Sequence, residues 1–348
     1  VPWTIPRYTA TQVNVAGGVL VDPLAEPEAT DHALTVINNW RASHSFPLNT
    51  FAVWLRLKAR PYRSSIVAQR IKRLSSIAAK LERFQWLQLS EMQDIGGCRA
   101  IVASVAQVYE LVTAYQSSSI KHTLVDSDDY IRNPKRSGYR GYHLIYKYHS
   151  DRNLTYEGLK IEIQLRSRRQ HAWATAVETV GAFTKQALKS SLGRPEWLRF
   201  FALMGTVIAN GERSPIVPGT PADERLLSKE LLHLAAELEV EKRLETYGGT
   251  LRLLEGPANA HYFLLTLDSN KRRVRIQRFM LADLEQAQQE YATVEANIRD
   301  QPGMDAVLVS VQSLNALRRG YPNYFLDTSV FLGEVRGALT SARRTNGD

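Results

Sequence analysis

The sequence predicts a mixed α/β chain in two parts, a larger first domain over residues 1–215 and a smaller α+β domain over 222–348. Three observations lead there. Short apolar, β-branched runs at 98–105, 143–149 and 159–165 alternate with stretches of 3.6-residue apolar period. The segment 211–221 holds three prolines and two glycines, the composition of a domain boundary. Beyond it the pattern reads strand, hairpin, helix, strand. At 348 residues the chain is long enough for each part to bury a core.

In order, residues 1–29 carry Pro2, Pro6, Pro23, Pro27 and Gly17-Gly18, which predicts an irregular or short-helical lead-in. Two helices follow over 30–60, broken near 45–47, with Leu34, Ile37, Trp40, Val53, Trp54 and Leu57 as candidate core. The spacing of Ile66, Ile71, Leu74, Ile77 and Leu81 predicts one amphipathic helix over 64–84 with its basic residues on the far face. A buried strand at 98–105 leads into a helix at 106–115. Strands at 143–149 and 159–165 come next, and alternation in the latter turns Ile161, Ile163 and Leu165 one way and Glu162 and Gln164 the other. A long helix covers 170–188. In the second part, a charged helix over 223–247 is stopped by Gly248-Gly249. A strand at 250–254 then precedes a hairpin, 261–267 with 273–279, across Asp268-Ser269-Asn270. A helix at 281–299, a strand at 306–312 and a helical tail complete the chain.

Lys and Arg number 44 against 35 Asp and Glu, a net charge of +9 that favours polyanionic partners: nucleotides, nucleic acid or anionic membrane. The single cysteine, Cys98, excludes an internal disulfide framework and a cysteine zinc site, so a cytoplasmic setting is expected. The first ten residues lack the basic and apolar regions of a signal peptide, and a start at Val1 is read as processing or trimming. The apolar runs are too short to span a membrane, so no membrane partner is expected.

Four clusters of charged, glycine and aromatic residues between Arg70 and Glu178 suggest phosphoryl transfer. Arg70, Lys72, Lys80 and Arg83 would share one helix face, where they either form a solvated surface or clamp a triphosphate. Asp94, just before Gly96-Gly97, is either a Mg²⁺ ligand or a loop cap. Residues 129–143 hold Arg132, Lys135, Arg136 and Arg140 among glycines, with Tyr139 and Tyr142 able to stack a base. Glu162 is a second acid, suited to a metal or to taking a proton from an attacking hydroxyl. His171 and Glu178 follow, with a plain helix-surface position as the alternative for His171. No HExxH pair and no GxxxxGK[ST] loop is present, which sets aside zinc hydrolases and P-loop enzymes.

In this order and spacing the clusters resemble the RelA/SpoT nucleotidyltransferase family, the alarmone synthetases, over roughly residues 45–190. The family's ATP-binding pattern R-x-K-x-x-x-S-I-x-x-K falls on Arg70, Lys72, Ser76, Ile77 and Lys80, and DIGGCR adds Asp94 and Arg99. The DYI-x-x-PK-x-x-GYR-x-x-H loop falls on 129–143, placing Lys135, Tyr139, Arg140 and His143 at the acceptor, with Tyr139 stacking its base. E-x-Q-x-R supplies the catalytic Glu162 with Gln164. The resemblance implies a mixed-sheet domain, Mg²⁺ on Asp94 and Glu162, and attack of a ribose 3′-hydroxyl on the β-phosphate of ATP. No histidine-aspartate hydrolase domain precedes it, so hydrolytic activity is not expected.

The acceptor divides the readings. Ordinary members use GDP or GTP, whereas toxic small alarmone synthetases modify the 3′-CCA end of tRNA and stop translation. Tyr321-Pro322-Asn323-Tyr324 resembles the YxxY neutralising motif of the CapRel type of fused toxin and antitoxin, whose C-terminal domain is zinc-finger-like without cysteines. That resemblance implies a tRNA-modifying enzyme held inactive by Tyr321 and Tyr324 and released by a phage structural protein such as the major capsid protein. The other readings are a (p)ppGpp or (p)ppApp synthetase and an RNA-binding module without activity.

Overall fold

The computed structural model describes residues 3–346 apart from 153, 185, 187, 189–191, 248–250 and 300. The first helices are α1 (Ala10–Val21), α2 (Pro27–Ser43) and α3 (Ser45–Ala59). Thr9 and Gln12 form a reciprocal cap that starts α1, and Pro27 starts α2 where its missing N–H costs nothing. The break between α2 and α3 falls at His44, next to the expected position. The buried face of α3 is Leu48, Phe51, Ala52, Leu55 and Ala59, while Val53, Trp54 and Leu57 are exposed. The 3.6 period was correctly read, but it fits two faces of this helix, and the other one meets the sheet.

Next come β1 (Ile66–Ile71), α4 (Leu74–Arg83), β2 (Gly96–Val102), α5 (Val105–Gln116), β3 (Thr123–Asp129), β4 (Tyr142–Lys147), β5 (Lys160–Ser167), α6 (Arg168–Thr184) and α7 (Pro195–Gly211). The single helix expected over 64–84 is therefore a strand and a shorter helix. β1 lies between two partners, with Arg70 opposite Gly97 on one side and Val309 on the other. A strand buried between neighbours shows a near-continuous apolar run instead of alternation, and this run also matched a helical period. As a result, Arg70 is on a strand, Lys72 in the connection and Lys80 on a helix, not on one helix face. Strand β3 is exposed, acidic and without apolar alternation, and the edge of β4 is what orders it.

The remaining elements are α8 (Glu224–Glu237), α9 (Val240–Tyr247), β6 (Leu251–Glu255), β7 (Tyr262–Asp268), β8 (Arg273–Phe279), α10 (Leu284–Ile298), β9 (Met304–Ser310), α11 (Leu314–Gly320) and α12 (Ser329–Asn346). The expected 223–247 helix breaks at Glu239, whose φ is +47°. Gly248, Gly249 and Thr250 lie outside the described residues.

All nine strands among the described residues form one sheet in the order β3-β4-β5-β2-β1-β9-β7-β8-β6. β2 and β5 run parallel, as do β6 and β8; the other pairs are antiparallel. The sheet thus crosses the 211–221 segment, with β9 from the C-terminal part seated against β1. One face is covered by α3 and α5, and by α10 over β7 and β9. The opposite face carries α6 and α11, behind which α7, α8, α9 and α12 build a helical layer around Trp197, Phe200, Phe201 and Phe331. No helix among the described residues is long and apolar enough to cross a membrane.

Candidate active site

The strand registers set the site. Arg70, Gly97 and Glu162 lie side by side across β1, β2 and β5, and in the next row Ala68, Arg99, Gln164 and His143 do the same out to β4. Neighbouring strands are about 4.8 Å apart, so Arg70 and Glu162 face each other at about 10 Å with only a glycine between them. The other sheet face takes Cys98, Ile161, Ile163 and Leu165 into the core, as alternation predicted.

Glu162 is gripped on both oxygens. His143 Nδ1 lies 2.9 Å from Oε1, and Gln164 Nε2 donates to Oε2 at 2.6 Å. Burial works against its charge, but His143 holds the carboxyl below the usual range while Asp94 pushes it up. Behind it, Tyr139 Oη and His143 Nε2 are 2.5 Å apart, and Arg166 Nη2 donates to Tyr139 Oη at 2.7 Å and to Gln164 Oε1 at 3.1 Å. Burial lowers His143, yet Tyr139 and Glu162 lift it to about 9; burial raises Tyr139, and Arg166 and His143 bring it down to about 8. Lys135 Nζ sits 4.1 Å from the Tyr130 ring centre and 5.6 Å from that of Tyr139. Gly138, at φ +94°, lets the loop press against helix α7.

On the donor side, Asp94 accepts from Lys72 Nζ at 2.6 Å and Lys80 Nζ at 3.0 Å. Burial would raise its pKa, but these two ammonium groups hold it well below the usual carboxylate range. Ser76 lies half-buried in the first turn of α4. Arg99 places its guanidinium carbon 4.2 Å from the centre of the Tyr321 ring.

Tyr321 ends α11 and Tyr324 lies in the 3₁₀ turn Pro322–Phe325, both fully buried. The tail expected to be helical is therefore broken between the two tyrosines, where Pro322 opens the 3₁₀ turn. Tyr321 Oη donates to Gln69 O at 3.1 Å. Tyr324 Oη donates to Asp305 Oδ2 at 3.0 Å and accepts from Arg73 Nη1 at 3.3 Å. Arg73 also pairs with Asp305. A cavity of about 490 Å³ adjoins this group, lined by Arg73, Ser75, Glu178, Asp305 and Asn323 among others.

Arg140 is not brought to this cluster. It is 2% exposed and donates to Ile131 O at 3.2 Å and Ser214 Oγ at 3.3 Å, and to Pro215 O, so it anchors the loop. His171 is buried instead of lying on a helix surface, with Nε2 3.2 Å from Arg319 O. Sequence reading missed Arg73 and Asp305, which no local pattern marks, and gave Arg166, the last residue of the E-x-Q-x-R motif, no role of its own.

Asp94 and Glu162 offer two hard oxygen donors close enough for one to raise the pKa of the other. No group of three or more His, Cys, Asp and Glu able to hold a metal occurs among the described residues. That donor set fits Mg²⁺, which takes one or two carboxylates and completes its shell with phosphate oxygens and water.

Residues 69–185 match the sequence profile of the region found in RelA/SpoT proteins. The GTP pyrophosphokinase YjbM of Bacillus subtilis is 33% identical over 111 residues, 31% of this chain and 52% of that protein. YwaC of the same organism, also a GTP pyrophosphokinase, is 32% identical over 111 residues, 30% and 52% of the two chains. The chain spans about half the length of these curated relatives. Among solved structures, small alarmone synthetase 2 from Bacillus subtilis aligns with 50% of this chain and 93% of its own at 22% identity and TM-score 0.43. Small alarmone synthetase 1 from Bacillus subtilis, bound to its product pppGpp, aligns with 46% and 85% at 27% identity and TM-score 0.37.

Proposed function

We propose, from the match of residues 69–185 to the RelA/SpoT profile, that this chain is an ATP-dependent pyrophosphokinase restrained by its own C-terminal segment. The observation that carries the enzymatic reading is the pairing of two charge groups across Gly97. On one side stand Arg70, Lys72 and Lys80; on the other stands Glu162 with His143.

In the reaction a ribose 3′-oxygen bonds to the β-phosphorus of ATP, the bond from that phosphorus to the α,β-bridging oxygen breaks, and AMP leaves. Arg70, Lys72, Ser76, Lys80 and Arg99 bind and orient the triphosphate, offsetting its charge. Glu162 takes the hydroxyl proton, with His143 and Gln164 fixing its orientation. Tyr139 and Lys135 line the acceptor side. Asp94 and Glu162 would hold Mg²⁺, which when bound neutralises phosphate charge.

Restraint is supported by Tyr321, whose ring covers Arg99, and by Tyr324, which engages Arg73. For the acceptor we favour the 3′-CCA end of tRNA, since Arg132 and Arg136 are exposed on the loop that carries Lys135 and Tyr139 and suit a phosphate backbone, and Arg168 at the start of α6 is exposed as well. Arg169, next to Arg168 in the chain, is instead paired with Glu334. A guanine nucleotide is the second reading, supported by the names of the relatives at 33% and 32% identity. A phage structural protein such as the major capsid protein remains the proposed trigger, on the resemblance of the tyrosine motif alone.

The test is to incubate the protein and its Tyr321→Ala, Tyr324→Ala variant with γ-³²P-labelled ATP and GDP, GTP, ATP or deacylated tRNA. Labelled tRNA supports the first reading and label only on a nucleotide selects the second. No label from either protein with any acceptor overturns both.

A further inference from the structure

Lys72 and Arg73 connect β1 to Leu74, the first residue of α4, and the connection thus carries the donor-side cation Lys72. Its shape is set from outside the family region. Glu295 of α10, 8% exposed, accepts the backbone N–H of Leu74 at 2.9 Å through Oε1 and Arg41 Nη1 at 2.7 Å through Oε2. Arg41 in turn donates from Nε to the carbonyl of Lys72 at 2.9 Å. One carboxylate therefore fixes both ends of the connection, one directly and one through a guanidinium. Leu74 is the first residue of α4, where backbone N–H groups lack helical partners and a negative charge is favourable. One turn earlier in α10, the Tyr291 ring lies 5.1 Å from the Arg41 guanidinium carbon and closes the arrangement. Between the two ends, Arg73 is held by Asp305.

We propose that Glu295 is a positioning residue of the donor site, acting through Arg41 and the Leu74 amide to present Lys72 to the triphosphate. This rests on the reading of Lys72 as a donor-binding residue. The C-terminal part is then a working component of the site as well as its cover. Activation must leave α10 and β9 in place and displace only the segment around α11 and the 3₁₀ turn.

The test uses the full chain with Tyr321→Ala and Tyr324→Ala as parent. Adding Glu295→Ala is expected to raise the KM for ATP by about tenfold, with kcat and the acceptor KM changed by less than about threefold. Glu295→Gln, which keeps an acceptor for the Leu74 amide, is expected to recover part of the loss. Hydrogen exchange read in parallel is expected to quicken over residues 70–76 in Glu295→Ala and to stay unchanged over 96–102. An unchanged ATP KM with unchanged exchange overturns the proposal. So does a common fall in kcat and melting temperature in which Glu295→Gln behaves as Glu295→Ala. If the parent itself transfers nothing, the enzymatic reading fails, and the exchange over 70–76 still decides whether Glu295 positions the connection.

Discussion

Tyr321 offers a graded test of restraint. Its ring is 2% exposed, its hydroxyl donates to Gln69 O at 3.1 Å, and the Arg99 guanidinium lies 4.2 Å from the ring centre. Tyr321→Phe deletes one neutral hydrogen bond from the closed arrangement, about 1 kcal/mol. Tyr321→Ala deletes the ring as well, about 3–5 kcal/mol for a buried aromatic plus about 1–2 kcal/mol for the cation–π contact. Apparent ATP affinity scales with the fraction of molecules whose site is open, so the Phe variant should bind ATP about fivefold more tightly. The Ala variant should gain about a thousandfold or more, until the open form dominates. Titration calorimetry with ATP reads this directly, and thermal unfolding run alongside should show the melting temperature falling in the same order. Unchanged ATP affinity in a folded Tyr321→Ala protein refutes the idea that this ring excludes the nucleotide. Equal gains in both variants refute the energetic assignment.

Glu162→Gln keeps the shape of the side chain but not its basicity, so pyrophosphate transfer should fall by about 10²–10⁴-fold while circular dichroism stays unchanged; retained activity removes Glu162 as the base. His44 is fully buried, and burial lowers its pKa from 6.5 to about 4. The folded value lies below the unfolded one, so stability is full above pH 6.5 and declines as pH falls towards 4, by about 3 kcal/mol for this residue. His171, pushed down by burial and by Arg99, adds to the same slope. Urea midpoints between pH 7 and 4.5 should show the decline, shallower in His44→Gln. At Gly138 a Cβ would stand 2.8 Å from Phe201 O and 2.9 Å from Trp173 Cζ2 at a φ of +94°. Gly138→Ala should therefore destabilise by about 2–5 kcal/mol, from backbone strain and overpacking together, which a urea melt would show.

Where local pattern decides structure, the sequence was legible. Alternation turned Glu162 and Gln164 out of the core of β5, and the hairpin of β7 and β8 followed from two apolar runs around Asp268-Ser269-Asn270. β1 was hidden because a doubly partnered strand and an amphipathic helix share the apolar positions Ile66 and Ile71. β3 was hidden because its order comes from β4 and not from its own residues. The grip on the connection from β1 into α4 was beyond reach for another reason. Arg41 and Glu295 are 254 positions apart, and Arg73 and Asp305 are 232 apart, separations at which a single sequence carries no pairing signal.

The seam between β1 and β9 bears on what happens when the chain is damaged. A protein cut or terminated before Met304 lacks β9, and the backbone of Ile66–Ile71 is then an open edge in the middle of what had been a continuous sheet. Open edges invite pairing with other chains, and the buried face of β7 and β9 would be bared with them. A frameshift or premature stop before Met304 therefore yields a species prone to aggregate, whereas a chain that ends between Ser310 and Tyr321 keeps β9 and loses both tyrosines. Because β9 precedes Tyr321 and Tyr324 in the chain, any truncation that removes this strand removes the two tyrosines with it, and the sheet and the proposed restraint are lost together.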